Sequence, residues 1–273
     1  VNRFQGLAEH ARRVFVMGSF VRWLWPCALV VAVGWFFFPG IGAPTKANAI
    51  GKASHIQLAR LSFRGSSDLR PNAMKRLLLE ILKRTSIRPN RAIKSLKVQD
   101  ADLFLYPFLY IQGDQGFAPW PQKDILRLRR HLTAGGTLFI DMSNGVPGGK
   151  FDQSVRRLSR RLFPQYKMAK LGQDHTLYKS FYLLRRFGGR VLLRPYIEGV
   201  TRGDRTPIVY SMNDHSGAWE RDNFGNWTHA VIPGGNSQRE HSFRFGINLL
   251  MYALCVNYKQ DGVHAEAIMN RRK

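Results

Sequence analysis

Two stretches of this chain, FLYPFLYIQG (104–113) and TLFID (137–141), are apolar at almost every position. A strand with one face in water alternates apolar and polar residues, so a continuous run belongs to a strand covered on both faces, as in parallel sheets. Pro107 cannot donate to a ladder, which places the first strand proper after it. Between the two runs, Pro121 opens a helix that continues through His131, and Gly135-Gly136 closes it. The succession recurs. HIQLARLSF (55–63) alternates and reads as a strand. Pro71 then starts a helix whose Met74, Leu77, Leu78, Ile81 and Leu82 share one face, opposite Lys75, Arg76, Lys83 and Arg84. A helix over 152–163 turns Val155, Leu158, Leu162 and Phe163 inward and Arg156, Arg157, Arg160 and Arg161 outward, as a solvated face or a contact for lipid or polymer. Strands over 190–200 and 206–212 follow, then a helix over 239–255 with Phe243, Ile247, Leu250 and Leu254 in register. Strands alternating with helices predict an α/β fold, a three-layer sandwich around a mostly parallel sheet.

The first 49 residues obey a different logic. Arg12-Arg13-x-Phe15, an apolar run from Trp23 to Phe38, and Ala47-Asn48-Ala49 reproduce the charged, apolar and small-residue regions of an export signal. Arg-Arg-x-Phe is similar to the twin-arginine signal in particular. A cleavable signal and a retained N-terminal apolar helix, anchoring the chain in the inner membrane, both stay open. The division expected is an export or anchor segment over 1–49 and one α/β domain over 50–273. Positive charge ahead of the apolar run predicts that this domain lies on the non-cytoplasmic side, at the inner membrane or in the periplasm.

The chain of 273 residues carries 42 Lys and Arg against 18 Asp and Glu, and 44% of it is hydrophobic, which excludes a disordered polymer. Only five of those cations and one of the acids precede residue 50. A body so basic outside the cytoplasm fits anionic lipid or acidic envelope polymers. In the cytoplasm it would fit nucleic acid, but no basic motif interleaved with aromatics supports that partner. Cys27 and Cys255 are too far apart in sequence and context to suggest a disulfide framework or a zinc site, and no cofactor is implied. Cys255, in the last helix, reads as a small core residue.

In open parallel sheets ligands bind beyond the carboxyl ends of the strands. Those ends carry Arg64-Gly65, Gly113-Asp114-Gln115-Gly116, Asp141-Met142-Ser143-Asn144, and Asn213-Asp214-His215 running into Ser216-Gly217-Ala218-Trp219-Glu220. Each is also ordinary turn chemistry, so only their convergence is informative. Ser143 sits where a nucleophile elbow would stand, but six residues, Gly145 to Lys150, separate it from the next helix and Asp141 replaces the elbow's first glycine. It therefore reads as a turn. A hard cation could in principle gather Asp114, Asp141, Asp214 and His215, although the spacing does not single out such a cluster. The glycines before the 152–163 helix lack a Walker pattern.

PFLYIQGDQGF, LRRHLTAGGTLFID, DHTLYKSFY, SMNDHSGAWE and FGINLLMYAL…NYKQDGVH, in that order over about 55–265, resemble domain of unknown function family 4159 of bacterial envelope proteins. The resemblance implies a flavodoxin-like sheet related to class I glutamine amidotransferases, and members that often carry a membrane-spanning segment or twin-arginine signal. Its motifs map onto Gly113, Asp114, Asp141, His175, Asp214, Trp219 and Glu220, which with Arg64 form the candidate ligand site. Amidotransferases attack with a cysteine thiolate at the elbow, and Met142-Ser143 stands there instead. The expectation is a non-catalytic binding or assembly module in the envelope, partnered by an envelope protein complex or an anionic polymer or lipid. The alternative is a hydrolase or transferase of envelope amides or glycans using Asp141, Ser143, His175 and Asp214. A cytoplasmic nucleic-acid binder is the second alternative.

Overall fold

The structure, a computed structural model, describes residues 57–65, 68–143 and 146–258, with side chains through Leu254. The export or anchor segment expected over 1–49, with its apolar helix, lies outside the described residues. Among the described residues no helix is long and apolar enough to cross a membrane.

The chain runs β1 (Ala59–Leu61), α1 (Ala73–Arg84), β2 (Lys94–Leu96), β3 (Phe108–Gly113), α2 (Gln122–Thr133), β4 (Thr137–Met142), α3 (Lys150–Leu162), β5 (Met168–Lys170), β6 (Glu198–Arg202), β7 (Arg205–Ser211), α4 (His215–Trp219) and α5 (Gly235–Tyr258). The seven strands form one sheet in the order β2-β1-β3-β4-β7-β6-β5. From β2 to β7 all neighbours pair in parallel; β6 and β5 add antiparallel pairs at one end.

Side-chain alternation explains the three layers. Phe108, Tyr110, Phe139 and Val209 point to one face, where α1, α4 and α5 pack with Leu77, Leu78, Trp219, Phe243 and Leu250. Leu109, Ile111, Leu138, Ile140, Ile208 and Tyr210 point to the other, under α2 and α3 with Ile125, Leu128, Val155 and Leu158. A strand apolar at both parities can stay buried only between two helical layers, which is why these runs read so continuously.

Several expectations need correction. The strand expected over 190–200 begins only at Glu198. Before it, the chain wraps the buried side chain of Asn213, whose Oδ1 accepts from the Leu193 and Arg194 N–H groups at 3.1 and 3.0 Å. A side-chain amide there does the work of a ladder partner. β2 (KSL) and β5 (MAK) have no apolar signature because they are three-residue edges. Leu82 is 44% exposed, so the inward face of α1 ends at Ile81. The arginine stripe of α3 is not simply solvated: Arg156 bridges Asp152 and Glu198 at 2.9 and 2.8 Å, and Arg157 and Arg161 donate to the carbonyls of Phe117 and Trp120. Only Arg160 of the four is exposed. With the Ser154 hydroxyl, which also donates to the Phe117 carbonyl at 3.1 Å, those guanidiniums tie the 117–120 loop to α3.

Gly246 sets how close α5 comes to its neighbours. A Cβ there would lie 2.6 Å from Leu77 Cδ1 and 2.8 Å from Trp219 Cζ2. Gly246→Val should lower unfolding stability by about 1–3 kcal/mol in urea titrations, as overpacked cores do. Gly172→Ala, where an added Cβ meets nothing within 4 Å, should stay within about 0.5 kcal/mol. Equal effects would show that α5 does not pack this way.

Candidate functional site

At the carboxyl edge of the sheet three polar residues sit side by side: Gln112 on β3 is in register with Asp141 on β4, which is in register with Ser211 on β7. All three are buried. Beyond β7 the chain turns sharply into α4 at Asp214, whose φ of 50° and ψ of 61° are left-handed, a conformation that aspartate tolerates better than most residues. Asp214 Oδ1 accepts from the Gly217 N–H at 2.8 Å.

Asp141 reaches the same turn from the sheet. Its Oδ1 accepts from the His215 N–H at 3.0 Å, and its Oδ2 accepts from the Ser216 N–H at 2.7 Å and the Ser216 hydroxyl at 2.5 Å. Two carboxylates thus satisfy the first N–H groups of α4, which a helix cannot bond internally. Complete burial, and next the charge of Asp214, push the Asp141 carboxyl up to about 7, against the pull of the Ser216 and His215 donors. Such a group in an open cleft would suggest a general acid or base. Here three donors occupy its oxygens and no face of it meets solvent.

Asp214 Oδ2 faces two guanidiniums, Arg70 Nη2 at 3.1 Å and Arg190 Nε. Arg190 arrives because Gly188 and Gly189 let their loop lie flush: a Cβ on either would overlap the backbone of Ser242 or of Asn213. Gly189 also has a φ of 130°. His215 stacks on Phe245 with centroids 4.2 Å apart, and its Nδ1 lies 2.8 Å from Ser242 Oγ. Burial lowers its pKa to about 3, so the ring is neutral.

The other candidate residues are placed as follows. Trp219 is 1% exposed and packs with His215 and Phe243. Glu220 accepts from the Asn72 N–H at 3.2 Å, tying α4 to the start of α1. Gly113 has no room for a side chain because the Phe151 ring fills the space. Ser143 donates its N–H to the Gly113 carbonyl at 2.8 Å, and its hydroxyl is buried without a base beside it among the described residues. Asp114 stands half-buried just past β3 at this edge, and Arg64 is exposed on the turn after β1.

His175 is not with them. Its Nε2 lies 2.8 Å from Thr206 Oγ1 at the start of β7, and its Nδ1 accepts from the Leu177 N–H. Thr206 and Ser211 are separated by about 17 Å of strand, so His175 occupies the opposite edge. A base role for it toward Ser143 or Asp141 fails on distance. Among the described residues, no three His, Cys, Asp or Glu side chains are placed to hold a metal ion, which also disposes of the cluster of Asp114, Asp141, Asp214 and His215. Two residues that build the edge, Arg70 and Arg190, stand outside the strand-end motifs of the sequence. The Gly188-Gly189 pair before Arg190 was the available signal.

A family model described as a domain of unknown function, DUF4159, matches residues 57–254. The chain belongs to that family. No curated protein matches it.

Unfolded, an aspartate titrates near 3.9, whereas folded Asp141 keeps its proton up to about 7. The native state binds the extra proton between those values, so this contribution is complete below about 4 and is lost as pH rises through about 7. The stability of the wild type minus that of Asp141→Asn should therefore fall across this window when urea midpoints are compared. A pH-independent difference would mean that Asp141 is ionised throughout.

Proposed function

We propose that this protein is a non-catalytic, amidotransferase-like binding or assembly module of the bacterial cell envelope, delivered or anchored by its first 49 residues. The single observation that carries the reading is the commitment of Asp141 and Asp214 to the N–H groups of α4 and to Arg70 and Arg190. A catalytic carboxylate must exchange protons with a substrate, and these exchange contacts with backbone. Among the described residues the Ser143 hydroxyl has no hydrogen-bonding base, and Met142-Ser143 stands where a thiolate would be needed.

The parallel strands β2-β1-β3-β4-β7 follow the order of flavodoxin-like doubly wound sheets, which supports kinship with the amidotransferase class. That class brings ligands to the carboxyl edge. With the edge braced rather than reactive, binding is the use left to it. The envelope location rests on the arginine pair, apolar run and Ala-x-Ala of the N-terminal sequence. Exposed cations such as Lys94, Lys97, Arg160 and Arg202 suit an anionic polymer, lipid surface or acidic partner protein there.

The test is turnover. The full chain, incubated with glutamine and with chromogenic amide and glycoside substrates, should release product no faster than buffer. Hydrolysis that disappears in Ser143→Ala or Asp141→Asn would replace binding with catalysis. In spheroplasts, protease added outside should digest the C-terminal body; a body left intact would move it to the cytoplasm.

A further inference from the structure

From His175 to Ile197 the chain carries no acidic residue and five cations, Lys179, Arg185, Arg186, Arg190 and Arg194. After a short 3-10 turn over Thr176–Lys179 it forms no helix or strand until β6. Buried side-chain amides hold it in shape instead. Asn248 donates to the carbonyls of Leu177 and Tyr182 at 2.9 and 2.8 Å and accepts from the Tyr182 N–H. Gln238 donates to the Gly189 carbonyl at 2.8 Å. Asn213 grips Arg194 twice, accepting from its N–H and donating to its carbonyl at 2.7 Å. All three amides are buried. The loop is therefore shaped in advance, and a partner need not order it.

Held from below, this loop leaves aliphatic side chains in water. Leu192 and Leu193 are each 38% exposed, and Leu183, earlier on the loop, is 64% exposed. Ile232, 59% exposed, is joined to them by backbone pairing: its N–H donates to the Arg190 carbonyl at 2.8 Å, and it bridges Val191. Interleaved in sequence stand Arg185, Arg186 and Arg194, all exposed, whose side chains make no ion pair or hydrogen bond among the described residues. The acids around them are taken. Glu198, which feels the charge of Arg194, is bonded to Arg156 at 2.8 Å, and Asp214 to Arg70 and Arg190. Asp174 faces Lys179 at 3.4 Å. Single exposed aliphatics are ordinary on any surface, but four along one pinned, acid-free loop mark a contact site.

We propose that the loop over 183–194, with Ile232 beside it, docks on the surface of a bilayer containing anionic phospholipid. Leucine and isoleucine enter the boundary between headgroups and acyl chains favourably, and guanidiniums alongside them meet lipid phosphates with two donors each. Protein-binding surfaces centre on aromatic anchors more than on leucine. Here Tyr178 and Phe187 are turned toward the core, stacked edge to face at 5.6 Å, and the aliphatic residues are the ones presented. The inference rests on the reading of this protein as an envelope module, which puts the domain beside such a membrane.

The full chain, with Cys27→Ala and Cys255→Ala so that a single thiol can be labelled, is reconstituted in nanodiscs of phosphatidylcholine with or without phosphatidylglycerol. A bimane on Leu193→Cys should be quenched by acyl-brominated lipid in the anionic discs, and far less in neutral discs or at high salt. A bimane on Leu126→Cys, exposed on α2 in the layer across the sheet, should stay unquenched. Arg185→Gln with Arg186→Gln, two exposed and unpaired positions, should fold normally and lower the ratio of docked to free loop about fivefold for each arginine removed. No quenching at position 193, equal quenching of the two labels, or quenching indifferent to phosphatidylglycerol overturns the proposal. A label unquenched in both discs but shifted by polyglutamate would also overturn it, and would assign the loop to an acidic polymer or protein. A body that resists external protease in spheroplasts would defeat the envelope reading whatever the discs show. A silent disc assay beside a digested body removes only this surface.

Discussion

A carboxyl group sealed away from water, Asp141 at the end of a central strand, is the constraint on which the carboxyl edge depends. It lies under the first turn of α4 and accepts from the His215 and Ser216 backbone, which fixes where the chain goes after β7. The position of α4 in turn fixes Trp219 and Glu220, and through them the start of α1 and the packing of α5. Burying an ionisable group is costly unless donors surround it, and three donors converge on these two oxygens.

Charge organises the surroundings in a similar way. Arginines in this protein seldom meet carboxylates one to one. Arg129 donates to the carbonyls of Leu162 and Arg161, Arg205 to that of Gly135, and Arg157 to that of Phe117. A chain with far more cations than acids satisfies its guanidiniums on backbone oxygen, which their planar five-donor fork permits and a lysine ammonium does less well. Where carboxylates are available they are shared: two guanidiniums meet Asp214, two meet Glu80 and two meet Glu240.

The layers were legible in the sequence because burial on both faces leaves a continuous apolar signature, as in β3 and β4, and one-sided burial leaves a helical period, as in α1 and α3. The ends of the strands were legible as turns, and Asp141 and Asp214 stood out there. What the sequence hid was direction and distance. Edge strands of three residues carry no period to detect. The wrapping of 190–197 around Asn213 depends on a side-chain amide that no propensity records. His175 looked like a partner for Ser143 because both are reactive residue types, yet they lie at opposite edges of one sheet. Arg70 and Arg190 were invisible as a pair because 119 intervening residues give no hint that both end on Asp214.

Hydrogen exchange of the His215 and Ser216 amides tests most directly whether Asp141 braces the edge. Bonded to a buried carboxyl, both amides should exchange only through global unfolding, as slowly as those of Ile140 and Val209 in the central strands. Exchange orders of magnitude faster under native conditions would show an edge that opens and a carboxyl group free to act.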